Sequence, residues 1–225
     1  MRFLTLLFLL LAACAAPAPQ PAPAPAMEDT ETCSAEYNAA RRCAARIEER
    51  RMAAAGGLAA RSGDTLRIRG TGGDTLRLVN DAAEGGHFRY DRYLPEIGFH
   101  VVQQRFHEGG SWLLVDARTT GQTRVIGPPV VSPGRTRFAA ASLDLLPGYD
   151  PNGVQVWRLG EGGPRLEWGI DGGGQWGAAG PSWASEDVLH FTRADRPNAP
   201  NTPVTFRRMR LTLSPDELTI RPAPR

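Results

Sequence analysis

Beyond residue 62 the chain alternates apolar and polar side chains with a period of two, in short runs spaced roughly ten residues apart, the rhythm of an all-β domain. Asp64-Thr-Leu-Arg-Ile-Arg69 and Asp74-Thr-Leu-Arg-Leu-Val79 repeat nearly letter for letter on either side of Gly70-Thr-Gly-Gly73. Leu66 and Ile68 alternate with arginines, so these two runs are expected to be half-buried strands paired as a hairpin. Runs at 99–106, 112–115 and 123–126 form a second group, separated by Glu108-Gly-Gly110 and Thr119-Thr-Gly121. Runs at 137–142, 154–159 and 165–168 make a third group, and those at 188–192, 204–213 and 217–220 a fourth.

The pattern changes upstream. Residues 34–55 are rich in Ala, Glu and Arg, with Ser34 placed as a cap and Gly56-Gly57 as a stop, which predicts a short helix within 33–57. Its apolar stripe of Tyr37, Ala40, Ala44, Ile47 and Met52 is thin. The expectation is a surface helix that docks weakly, with Arg41, Glu48 and Arg51 turned to solvent.

Residues 1–13 carry one positive charge, Arg2, before the apolar run Phe3–Leu11, the layout of a secretory signal. The run is about half the roughly 20 residues needed to span a bilayer as a helix. Leu11-Ala-Ala-Cys14 resembles the bacterial lipobox at all four positions. That resemblance implies acylation of Cys14 and, with Ala15 following in place of Asp, an outer-membrane protein facing the periplasm. The alternative is ordinary cleavage near Cys14 without lipid. Residues 14–32 then form the tether. Its Ala/Pro alternation over 15–26 favours polyproline II at about 3.1 Å per residue, a reach of about 37 Å.

Composition narrows the function classes. Gly 25 and Pro 19 are too many turn-formers for a helical bundle, whereas 41% hydrophobic residues suffice for a core. All 26 basic residues are Arg, and with a net charge of +2 the chain has no overall field that argues for nucleic acid. With Cys14 used by lipid, Cys33 and Cys43 remain, and in an exported protein they are candidates for a disulfide. If both stood on one helix, ten residues would separate them by about 15 Å, beyond disulfide reach. Cys33 must therefore fold back along the helix, or the thiols stay free or pair between chains.

Pro129-Val-Val-Ser-Pro-Gly-Arg-Thr-Arg-Phe-Ala-Ala140 resembles the Ser-Pro-Asp-Gly-basic-basic-apolar-Ala step of bacterial β-propeller repeats of the Tol-system type. Gly153–Leu159 fits the next strand of such a repeat, and Pro181–Thr192 looks like a degenerate copy. Residues 88–192 also resemble a group of bacterial secreted proteins and lipoproteins without an established activity. The resemblance implies a mostly β fold of partial or small propeller-like antiparallel sheets over 58–225. At about 40–45 residues per blade, 62–222 holds fewer than four blades. A minimal ring, an incomplete propeller and a twisted sandwich all remain open.

Candidate chemistry is sparse. No nucleophile elbow, His-Glu-x-x-His or phosphate loop occurs, and no cofactor or metal is expected. His100 and His107, seven apart, fall on opposite faces of an unbroken strand. Asp144, Asp150 and Asn152 supply oxygens suited to calcium, but Asp-Pro-Asn-Gly is first a turn sequence. Trp168, Trp176 and Trp183 are expected in the core more than in a ligand groove. The long excursion between strands at 142–153 offers Leu145, Leu146, Tyr149 and Asp150 as a contact surface, or else packs on itself. The leading expectation is a lipid-anchored, non-catalytic envelope protein that binds a protein or envelope polymer. The alternatives are an envelope hydrolase using Asp144, Asp150 or Glu167, and an envelope-enzyme inhibitor held by a Cys33–Cys43 bond.

Overall fold

The computed structural model describes residues 37–81, 86–146, 148–199, 202–214 and 218–223. Among the described residues one helix, α1 (Tyr37–Ala54), precedes fifteen strands, which form four antiparallel sheets. Each sheet is a meander of consecutive strands, as expected when turns rather than long crossovers separate the runs. The first holds β1 (Ala59–Ser62), β2 (Thr65–Arg69) and β3 (Thr75–Val79). The second holds β4 (His87–Leu94), β5 (Phe99–Arg105), β6 (Gly110–Asp116) and β7 (Gln122–Val125). The third holds β8 (Val130–Val131), β9 (Arg137–Ser142), β10 (Gly153–Arg158) and β11 (Arg165–Asp171). The fourth holds β12 (Trp176–Ser185), β13 (Val188–Asp195), β14 (Thr205–Leu213) and β15 (Leu218–Pro222).

Side-chain alternation turns these sheets into a stack. On the second sheet Val102, Leu113 and Val115 face one way, against Leu66, Ile68 and Leu78 of the first sheet. Phe99, Leu114 and Val125 face the other way, against Phe138 and Ala140 of the third. The third sheet's opposite face, Ala139, Ala141, Val154 and Val156, meets Trp176, Leu189, Phe191, Met209 and Leu211 of the fourth. Both inner sheets are thus buried on two faces, which is why 139–142 reads as a run of small residues. No hydrophobic cluster among the described residues joins the fourth sheet back to the first. The fold is mostly β, built as propeller-like sheets packed in series.

The helix departs from expectation. Glu48, placed outward by the sequence reading, is only 8% exposed. It accepts two hydrogen bonds from the Arg61 guanidinium, at 3.1 and 2.7 Å, and one from the Tyr90 backbone N–H at 2.7 Å. Arg51 likewise turns inward, 2.8 Å from Asp91. Since β4 is a sheet edge, its outward N–H groups need partners. Glu48 serves Tyr90, and the Asn80 side chain accepts from the Phe88 N–H at 2.7 Å. The docking is tight because the charged face of the helix, along with Ile47 and Met52, covers that edge.

Candidate functional site

The excursion from β9 to β10 is ordered from within. The Asp144 carboxylate accepts the N–H groups of Tyr149 and Asp150 at 2.7 and 2.8 Å. The Asn152 amide clamps the base: its oxygen accepts the Asp144 N–H at 2.6 Å, and its nitrogen donates to the Asp144 carbonyl at 3.0 Å. Asp150 reaches the second sheet and accepts the Gly110 N–H where β6 begins. Neighbouring glycines admit the loop. A side chain at Gly109 would strike Asp150 and Tyr149, and one at Gly177 would strike Asn152 and Leu143.

This framework divides the four proposed contact residues. Leu145 is buried at 6% exposure, and Asp150 is committed to Gly110. Leu146 and Tyr149 stand out at 80% and 55%, with Leu143 beside them at 38%. The structure therefore leaves a narrower surface of Leu143, Leu146 and Tyr149, held on a hydrogen-bonded base.

The carboxylates named for hydrolysis do not come together. Asp144 and Asp150 accept loop and strand N–H groups, whereas Glu167 stands on β11 beside Val156 and Trp157, about 13 Å along the sheet from where the loop rejoins it. Glu167 takes two hydrogen bonds from Arg137, at 2.7 and 3.2 Å, and another from Arg158. The Arg137 hydrogen bond, against the opposing effect of burial, holds its carboxyl below the usual range. A general acid needs the reverse. No group of three or more His, Cys, Asp or Glu among the described residues is arranged to hold a metal. Trp176 is buried, and Trp168 and Trp183 pack on the same cluster, so all three belong to the joint between the third and fourth sheets.

Two polar arrangements had no sequence signal. Glu186, in the turn between β12 and β13, inserts its carboxylate into the Ser132–Arg137 turn of the neighbouring sheet. It accepts from Ser132 Oγ at 2.9 Å, from the Gly134 N–H at 2.7 Å and from Thr136 Oγ1. The Ser-Pro-Gly step lacks its own Asp, and a carboxylate from the next sheet closes it. The second arrangement is His100, fully buried in the joint between the first and second sheets. Its Nδ1 shares a hydrogen bond with Tyr90 Oη at 2.9 Å, Tyr93 stacks on its ring at 4.6 Å, and its Nε2 has no partner among the described residues. Burial pushes the imidazole down to about 4.

Cys43 lies half-buried on α1 and is disulfide-bonded. Cys14 and Cys33 lie outside the described residues. Comparison of the chain with protein-family models, curated proteins and solved structures finds no match.

Proposed function

We propose that this chain is a lipid-anchored cell-envelope protein whose stacked-sheet domain is a non-catalytic interaction module, structurally akin to Tol-type propeller repeats. Leu11-Ala-Ala-Cys14 and the Ala/Pro segment behind it supply the anchor and spacer. Binding is assigned to the 143–152 loop. The observation that carries this reading is the pairing of exposed Leu146 and Tyr149 with a base fixed by Asp144 and Asn152. Apolar groups held in place before encounter lose little freedom on binding, which is how a small surface gains affinity.

One set of strains tests both halves. Labelled palmitate should enter the wild type and be lost in Cys14→Ser. A photocrosslinker at position 149 should capture one envelope component, and Leu146→Ser should abolish that capture with an unchanged melting temperature. Label retained in Cys14→Ser removes the anchor, and capture indifferent to Leu146→Ser removes the contact.

A further inference from the structure

The two outermost faces of the stack share a feature that strand pairing does not favour. Across the fourth sheet the register sets Ser182, His190, Arg210 and Arg221 side by side, with Thr192 and Arg208 in the next row and Phe206 in the one after. Met209 and Leu211 point into the core, so Arg208 and Arg210 point away from it. Arg208, Arg210 and Arg221 are all exposed, and Phe206 is 62% exposed. No Asp or Glu occupies an outward position on the described parts of these strands. Arg210 directly opposite Arg221 places like charges roughly 5 Å apart at Cβ, which destabilises a sheet. The first sheet repeats the motif with Arg67 opposite Arg77, but without an aromatic neighbour.

We propose that the outer face of the fourth sheet docks on an anionic lipid surface. Arg208, Arg210 and Arg221 would take phosphate-bearing headgroups, and Phe206 would enter the boundary between headgroups and acyl chains. This inference rests on the envelope reading above and deepens it, since it gives the domain its own contact with the bilayer. Guanidinium groups bind phosphate through paired N–H donors. The triangular cluster spread over an open sheet face, with an exposed Phe beside it, fits an array of headgroups better than a linear polyanion, which would follow a groove. An acyl anchor joined by a basic patch is the two-signal arrangement that makes membrane attachment stable. The Ala/Pro sequence, expected to act as a spacer with a reach of about 37 Å, would give this face room to meet the bilayer.

The test uses the full chain carrying Cys14→Ser, so that no acyl chain contributes, and measures sedimentation with two kinds of vesicle. One is phosphatidylcholine alone and the other contains phosphatidylglycerol as well. Insertion of the apolar leader acts on both, and the preference of its Arg2 persists in every variant, so the part of the difference lost with the sheet arginines isolates them. At about fivefold per arginine, partition should favour the anionic vesicles by about a hundredfold at low salt and lose most of that preference at high salt. Adding Arg208→Gln, Arg210→Gln and Arg221→Gln should remove most of the preference and hold or raise the melting temperature, because opposed charges have been removed. Phe206→Ser should weaken binding several-fold on both vesicles. The proposal is overturned by equal binding to the two vesicles, by a preference undiminished by the triple substitution, or by a triple variant that melts several degrees lower. Arginine-dependent binding to dextran sulfate with none to vesicles would also overturn it and assign the face to an anionic polysaccharide. Since the Cys14→Ser background is never acylated, a negative result falls on this face and leaves the palmitate experiment to judge the anchor.

Discussion

The joint between the first and second sheets and the joint between the third and fourth use the same kind of strand but seal it differently. In the latter, Val154 and Val156 meet Leu189, Phe191 and Leu211 in a dry interface, and its carboxylate, Glu186, works at the rim. In the former, Leu66, Ile68 and Val102 share the interior with His100, while Glu48 and Asp91 are buried beneath the helix beside them. The reason lies in β4, an edge strand with a bulge between Tyr90 and Arg92, whose unpaired backbone groups the helix must answer. The joint between the third and fourth sheets closes mainly with apolar groups, although β12 is itself an edge strand with a register shift. The edge that a helix covers brings polar groups inside, and these carry the risks of buried charge.

The largest expected effects compare the two joints directly. Glu48→Ala leaves Arg61 without its carboxylate and the Tyr90 N–H without an acceptor, which should cost about 3–5 kcal/mol. Phe191→Ala should cost a similar amount, about 3–5 kcal/mol, by opening a cavity. What separates them is rescue. Replacing Glu48 and Arg61 together by Met should recover a good part of the loss, because the uncompensated charge is gone. Urea denaturation of the three variants checks this, and a double variant no better than Glu48→Ala would erase the distinction.

Acid should act on one joint before the other. With His100 held at about 4 when folded, against its ordinary 6.5, the unfolded chain takes up the proton first. Stability should therefore fall as pH drops from 6.5 to about 4, by up to about 3 kcal/mol, and this contribution should then level off. Burial raises Tyr90, whose hydroxyl meets the ring, so it stays neutral over that range, and Tyr93 stacks on the other side. His100→Leu should flatten the slope whatever it does to stability at neutral pH, and an unchanged slope would place the acid sensitivity elsewhere.

What the sequence disclosed follows the same division. Where alternation is regular, the strands were legible nearly to the residue, as in β2, β3, β9 and β14. β12 was not, because Gly180 and Pro181 signal a break. The structure accommodates them at a register shift between Ala179 and Ser182 on a sheet edge, where Pro is tolerated. β4 was hidden by its bulge, which spoils the period of two at Asp91. The buried side of α1 was misassigned because a helical pattern shows which residues share a face but not that an edge strand needs a carboxylate. In the candidate loop, Leu145 and Leu146 are adjacent and chemically alike. Only the turn imposed by Asp144 and Asn152 decides that one is buried and the other exposed.

The smallest expected effect belongs to the rim of the dry joint. Glu186 reaches between sheets to Ser132, Gly134 and Thr136, and all three donors are neutral. Burial raises its carboxyl, but the hydrogen bonds from Thr136, Gly134 and Ser132 outweigh that and hold it below its ordinary 4.5. A depressed carboxyl contributes stability that is present above 4.5 and lost as pH falls through the folded value. Glu186→Gln keeps the shape of the side chain but turns an amide donor toward donors, so one or two of the three bonds should fail. For a partly exposed group this should cost about 1 kcal/mol at neutral pH. Most of the loss comes from the neutral donors, and the ion pair with Arg137 at 3.7 Å adds a smaller part, so salt should change the penalty only weakly. The penalty should shrink only below 4.5, as the wild-type carboxyl takes up its proton at its lowered folded value, and it should stay constant from pH 6.5 down to 4.5, where His100 acts. A penalty that instead varied between pH 6.5 and 4.5 would mean that the two joints are coupled through the stack and do not titrate separately.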